Sequence, residues 1–209
     1  MQSINASKPF IVGLGGTARP DSSTEKALAI ALSSAERAGA RVQLIGSDLL
    51  TRLPHYLTTE VASSPEALAL LDALRRADGV IIASPGYHGS VSGILKNAID
   101  YLEETARDDR AYLHDIPVGL IATAYGWQAT SSTLATLRTI VHALRGWPTP
   151  LGAAVNSSGG IFSAERCSDA KVIELLETVG QQVVEFALMK CRSLADSERT
   201  AALETVVSQ

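Results

Sequence analysis

Three short stretches of this chain carry more polar chemistry than a change of chain direction requires. The first is Gly15-Gly16-Thr17-Ala18-Arg19-Pro20-Asp21-Ser22-Ser23-Thr24. Thr17, Ser22, Ser23 and Thr24 offer hydroxyl donors, and Arg19 offers a planar fork of charged ones. Ser22 and Glu25 have the spacing of a capping box, so a helix should begin there. Its free N–H groups and positive dipole end would face the same hydroxyls. Such a set suits a monoester phosphate held without a metal ion. Alone, Ser22 reads as a plain helix cap and Arg19 as a surface cation; their joint placement is what favours a phosphate.

The second stretch is Ser84-Pro85-Gly86-Tyr87-His88-Gly89-Ser90-Val91-Ser92-Gly93. Tyr87 supplies a flat face, and the glycines let backbone N–H groups come close to a ligand. His88 can contribute through its backbone alone. The third stretch is Ala124-Tyr125-Gly126-Trp127-Gln128. Metal chemistry has no comparable signal: His55, His114 and His142 are far apart, and Cys167 and Cys191 form no CxxC.

Each stretch leaves a short apolar run and leads into helical periodicity. Phe10–Leu14 predicts the first strand, Gly79–Ala83 the third and Pro117–Thr123 the fourth. Val42–Ile45 predicts the second strand and Leu151–Val155 the fifth, with Pro148 and Pro150 bracketing its entry. Between them come helices with core faces at Leu28/Ala31/Leu32/Ala35, Ala67/Leu70/Leu71/Leu74, Leu95/Ala98/Ile99/Leu102 and Leu134/Leu137/Val141/Leu144. Gly39 should end the first helix, Pro65 should start the second, and Asp169 should cap a long last helix through Phe186. Residues 46–64 read as a long connection and the charged 105–115 segment as a solvated loop.

Five apolar runs alternating with helices argue for an α/β fold, a parallel sheet covered on both faces. Ligands of such sheets bind beyond the carboxyl ends of the strands, where all three polar stretches would sit. No repeat, linker or boundary interrupts the chain, so residues 1–209 are expected to form a single domain, with 1–8 and 192–209 peripheral.

Composition narrows the partners. The net charge of −4 leaves no basic footprint for nucleic acid. No run approaches the roughly 20 apolar residues of a membrane span. The first residues lack the apolar core of a signal peptide, and with two unpaired-looking cysteines a reducing cytoplasm is the expected location.

Gly16–Thr24 resembles the phosphate loop of the NAD(P)H-dependent FMN reductase family, Gly-Ser-x-Arg-x-x-Ser-x-Ser/Thr/Asn. Ser84–Asp100 resembles that family's second motif, Ser/Thr-Pro-x-Tyr-x-Gly-Ser-x-Ser/Pro-Gly-x-Leu-Lys-Asn. The resemblance covers roughly residues 9 to 156. It implies a flavodoxin-like, doubly wound, five-stranded parallel sheet of order 2-1-3-4-5 that binds FMN. By position, it implies that Thr17, Arg19, Ser22 and Thr24 hold the FMN phosphate. Pro85, Gly86, Tyr87, His88, Gly89 and Ser90 would line the isoalloxazine, largely through backbone groups, and Tyr125, Gly126 and Trp127 would approach it from the other side.

The resemblance further implies hydride transfer from NADPH or NADH to FMN and onward to a small-molecule acceptor. That acceptor could be free flavin serving a partner monooxygenase, a quinone, an azo compound, a metal oxyanion or oxygen. A homodimer or homotetramer with the flavin near a subunit contact is also implied. Hydride transfer to a flavin needs stacked rings and tuned electrostatics rather than a protein acid or base, so no catalytic residue is named.

The chain departs from the family pattern in three places. Thr17 replaces a serine and keeps its hydroxyl. Gly86 stands where glutamate is frequent and is expected to leave space beside the ring. Tyr125 and Trp127 stand where small residues are common; they serve either flavin contact or packing at a subunit interface. Lys96-Asn97 can be read as structural.

Two other functions deserve weighing. A flavodoxin-like electron carrier would lack its own NAD(P)H activity, but such carriers have Thr-rich phosphate loops without arginine and are strongly acidic. A dinucleotide-binding oxidoreductase could use Gly13, Gly15 and Ala18 as its fingerprint. That fingerprint needs a helix running through Arg19-Pro20-Asp21, where the cap signal at Ser22 argues for a later start.

Overall fold

A computed structural model of the chain describes residues 8–163 and 167–207. The elements are β1 (Phe10–Gly15), α1 (Ser23–Arg37), β2 (Arg41–Ile45), α2 (Ser47–Leu50), α3 (Pro65–Arg76), β3 (Gly79–Pro85), α4 (Gly93–Asp100), β4 (Pro117–Ala124), α5 (Trp127–Ala143), β5 (Trp147–Asn156) and α6 (Ala170–Val207). The five strands are parallel and lie in the order β2-β1-β3-β4-β5. The order reverses between β1 and β3, the switch point where α/β sheets place their ligands.

The sheet divides two apolar cores. On one face, α3, α4 and α5 bury Leu70, Leu74, Leu95, Leu137 and Val141 against Val12, Val80 and Leu120. On the other, α1 and α6 bury Leu28, Leu32, Leu176 and Val183 against Ile11, Ile81 and Ile121. β1, β3 and β4 are covered on both sides, which is why they read as unbroken apolar runs rather than alternating ones.

Local signals act as their chemistry dictates. The Ser22 Oγ accepts the Glu25 N–H, and Ser64 accepts the Ala67 N–H ahead of Pro65. Asp169 Oδ1 accepts from the Lys171 and Val172 N–H groups, capping α6. Gly39 takes φ +101° just past α1, which only glycine adopts without strain. Only half of the capping box forms: the Glu25 carboxylate accepts the Ser47 N–H at the start of α2 instead of turning back to Ser22.

Three regions differ from the sequence reading. The 46–64 connection contains α2 and a 3₁₀ turn at Val61–Ser63. The charged 105–115 segment is tied down rather than solvated. The Arg110 guanidinium donates to the Leu74, Arg75 and Ala77 carbonyls at the end of α3, and Arg75 pairs with Asp108 at 2.7 Å. Burial lowers the Arg110 pKa, with Asp78 opposing the shift.

β5 is the third difference, starting at Trp147 and thus including Pro148 and Pro150. Proline lacks the N–H of a central strand, but β5 is an edge strand. The nearby Leu151 N–H is taken by Gln182 of α6, and the Pro150 carbonyl accepts from Arg138 of α5.

Of the terminal segments expected to be peripheral, residues 1–7 lie outside the described part, and 192–207 continue α6. Among the described residues no helix is long and apolar enough to cross a membrane.

Candidate active site

The three polar stretches leave the carboxyl ends of β1, β3 and β4, and they enclose one cavity of about 840 Å³. Thr17, Arg19, Ser22, Ser23, Thr24 and Lys26 line it from the β1–α1 side. Pro85, Gly86 and Tyr87 line it from β3, and Thr123, Tyr125, Gly126 and Ala129 from β4–α5. Ser157, just past β5, completes the wall.

The β1–α1 loop is set by its neighbours. Gly15 takes φ +150°, a backbone conformation that side chains disfavour, and a Cβ there would collide with the Ala83 carbonyl, so β1 and β3 approach too closely for any side chain. Gly13 is pressed under Leu32, so the glycines of the possible dinucleotide fingerprint serve packing. The Thr17 hydroxyl closes the turn, accepting the Arg19 N–H and donating to the Arg19 carbonyl, both at 3.0 Å. α1 starts only at Ser23. Ser22 Oγ accepts from Glu25 and so keeps its own proton for a ligand. The first N–H groups of α1 add further donors.

The β3–α4 loop is a tight reversal. The Tyr87 and Ser90 backbones exchange hydrogen bonds of 3.0 and 3.1 Å across His88 and Gly89, which take φ +50° and +86°. At its neck the buried Ser84 hydroxyl donates to the Pro85 carbonyl and accepts the Ser92 N–H. His88, Gly89 and Ser90 stand at the exposed tip of this turn and are not among the cavity-lining residues. Lys96 pairs with Asp100, and Asn97 clamps Pro54 and Tyr56, so both have structural roles.

Gly86 does not leave the space that its lack of a side chain suggests. A Cβ there would lie 2.8 Å from Thr133 Oγ1 and 3.0 Å from the Ala129 carbonyl. Helix α5 fills the position, and the Gly86 N–H is fixed on the Thr123 carbonyl at 2.8 Å.

Thr123 is the junction of the site. Its side chain meets Thr24 of α1 with the two hydroxyl oxygens 2.6 Å apart, its carbonyl holds Gly86, and the β4–α5 loop follows it. Thr24 is 2% exposed, so its hydroxyl ties α1 to β4 at the edge of the cavity. Ser157 does similar work one strand further on, donating from both N–H and Oγ to the Ala124 carbonyl.

The mouth carries exposed aromatic surface. Tyr125 is 79% exposed, Trp127 65% and Tyr87 52%. Trp127, the first residue of α5, lies beyond the cavity lining itself.

Thr123, Ser157 and Lys26 are the polar lining residues that lie outside the three stretches. Lys26 had a signal: it lies four residues after Ser22 and three after Ser23, the spacing of one helix face. Thr123 and Ser157 had none beyond their positions at predicted strand ends.

The β1–α1 side of the cavity thus carries Arg19, Lys26, Asp21 and four hydroxyls, and the far side carries Pro85, Gly86, Tyr87, Tyr125, Gly126 and Ala129 with the Thr123 and Ser157 hydroxyls. That donor set fits an elongated ligand such as FMN, with a phosphate on one end and a planar ring on the other. Its volume falls within the roughly 300–1,000 Å³ of small-molecule sites. A separate cavity of about 590 Å³ lies between Tyr56–Ala62, Leu68 and Glu104, where the Tyr56 hydroxyl donates to Glu104 at 3.0 Å.

Comparison with known proteins bears on this site. An FMN-dependent NADPH-azoreductase of Staphylococcus aureus is 43% identical over 82 residues. The match covers 39% of this chain and only 40% of that relative. Among solved structures, the flavoenzyme NAD(P)H:(acceptor) oxidoreductase FerB of Paracoccus denitrificans has a TM-score of 0.69 at 22% identity, covering 87% of this chain and 98% of its own. The apo form of the NADH:FMN oxidoreductase EMOB has a TM-score of 0.64 at 22% identity, covering 87% and 90%. At such identities the structural likeness is one of fold, flavodoxin-like as the sheet order already requires. The sequence itself goes further, because the profile of NADPH-dependent FMN reductases matches residues 9–160, from β1 through β5 and both motif loops. The chain belongs to that family.

Proposed function

We propose that this chain is an NADPH-dependent flavin reductase that holds FMN in the cavity at the carboxyl ends of β1, β3 and β4. The observation that carries this reading is the meeting of those two sides in one cavity. Hydride acceptance from NADPH and delivery of electrons to a second substrate are the chemistry FMN supplies when bound.

The residues of the chain bind and orient. Ser22, Ser23 and Arg19 are the proposed donors to the phosphate, aided by the free N–H groups of α1. Thr17 holds the turn that presents Arg19, and Thr24 locks the helix to β4. Pro85, Gly86 and Tyr87 form the proposed platform for the ring, with His88, Gly89 and Ser90 shaping the turn behind it. Gly126 and Tyr125 bound the ring's other side. The exposed Tyr125 and Trp127 rings support planar aromatic acceptors as the second substrate, since an aromatic face stacks well on another.

The test is direct. Purified protein should show flavin absorbance or acquire it with added FMN, and should oxidise NADPH in an FMN-dependent way. NADPH oxidation by the protein alone rules out a pure electron carrier. Tight NADP binding with no affinity for FMN would replace this reading with the dinucleotide one. Arg19→Ala should weaken FMN binding by about tenfold or more, the worth of a charge-assisted contact.

A further inference from the structure

Among the described residues, six basic side chains are held in salt bridges. Arg37 pairs with Glu177, Arg52 with Glu66, Arg75 with Asp108, Arg76 with Asp72, Lys96 with Asp100 and Lys190 with Asp115. Lys26 and Arg19 differ. Among the described residues neither side chain has a hydrogen bond or ion pair, and both line the same cavity. In a chain of net charge −4, two uncommitted cations converging on one cavity call for an anion there.

The placement of Lys26 follows from α1. Ser22, Ser23 and Lys26 share one face of the helix and all line the cavity, whereas Glu25 is turned to the Ser47 N–H. The one carboxylate that does line the cavity, Asp21, is exposed and makes no ion pair with either cation. Lys26 is half-buried and lines the cavity, and a lysine in that setting can bury its stem while its charge stays hydrated.

We infer that Lys26 is the second cation of the phosphate subsite, sharing with Arg19 the charge of a bound monoester dianion. This rests on the FMN reading above and extends it. Arg19 supplies directional donors, and Lys26 supplies a mobile point charge one helical turn behind the serines. The pair makes the site selective for a phosphorylated flavin over the bare isoalloxazine nucleoside.

The experiment titrates the flavin-free full-length chain with FMN and with riboflavin, following quenching of flavin fluorescence. The unaltered chain should bind FMN far more tightly than riboflavin. Lys26→Gln should raise the FMN Kd about tenfold, one charge-assisted contact, and leave the riboflavin Kd unchanged. Lys26→Arg should restore most of the FMN affinity. Salt should weaken FMN binding less steeply in Lys26→Gln than in the unaltered chain. If the unaltered chain prefers FMN and Lys26→Gln keeps that preference in full, the role of Lys26 is overturned while the FMN reading stands. If the unaltered chain binds riboflavin as tightly as FMN, the phosphate loop and Lys26 fall together. If Lys26→Gln raises the KM for NADPH but not for NADH with FMN affinity intact, the lysine serves the nucleotide and the inference is overturned.

Discussion

The Thr24 and Thr123 hydroxyl oxygens lie 2.6 Å apart, joining residues 99 positions apart in sequence where α1 meets the end of β4. The bond is buried, and it connects the loop proposed to bind phosphate to the strand that holds Gly86. Thr24→Val leaves the Thr123 hydroxyl without its partner, which should cost about 1–3 kcal/mol in denaturant unfolding. The Thr24→Val/Thr123→Val double variant should be more stable than the sum of the single losses predicts, because no orphaned hydroxyl remains. Additive losses would show that the two groups do not act as a pair.

Gly86 yields a prediction about crowding. Gly86→Ala forces a methyl against Thr133 Oγ1 and the Ala129 carbonyl, at 2.8 and 3.0 Å. Stability should fall by about 1–3 kcal/mol, the usual range for overpacking. Adding Thr133→Ala should recover only part of the loss, since the Ala129 carbonyl stays in place. Thermal unfolding of the three variants checks this.

Tyr56 links stability to alkaline pH. Burial and its hydrogen bond to Glu104 raise its pKa from 10.0 to about 12, with further repulsion from Glu103 and Asp100. The folded state therefore holds this proton more tightly than the unfolded chain. The stabilisation is fully present below pH 10 and should be lost as pH rises from about 10 through about 12. Tyr56→Phe should flatten that part of the stability profile, measured by denaturant midpoint. An ultraviolet titration in which Tyr56→Phe removes no late-titrating tyrosine would contradict the assignment.

Trp127 bears on the second substrate. If its exposed ring receives planar acceptors, Trp127→Ala should lower the ratio of kcat/KM for 1,4-naphthoquinone to that for ferricyanide, by about tenfold for the loss of a large stacking surface. Trp127→Phe should keep most of the ratio. An equal fall with both acceptors, or a change in sedimentation, would assign the ring to folding or assembly instead.

The parallel sheet and three loop positions were legible because both rest on local signals: apolar runs, caps at Ser22, Ser64 and Asp169, and glycines at strand ends. What escaped the sequence was set by tertiary contact. The fate of the Glu25 carboxylate depends on how close β2 ends to α1. Gly86 looked like room because nothing in the chain states that Thr133 will lie beside it. The prolines near 148 looked like strand boundaries because edge position is a property of the finished sheet. Arg110 looked solvated because its partners are backbone carbonyls, which every residue owns.

Those edge prolines constrain how copies of the chain can meet. Pro148 and Pro150 have no N–H to offer, Leu151 gives its own to Gln182, and the Pro150 and Leu151 carbonyls accept from Arg138 and Thr149. Along this stretch of β5 an incoming strand finds little backbone to zip onto. The sheet is thereby blocked from templating its own continuation there. A neighbouring molecule that meets this stretch would therefore find side chains rather than open backbone.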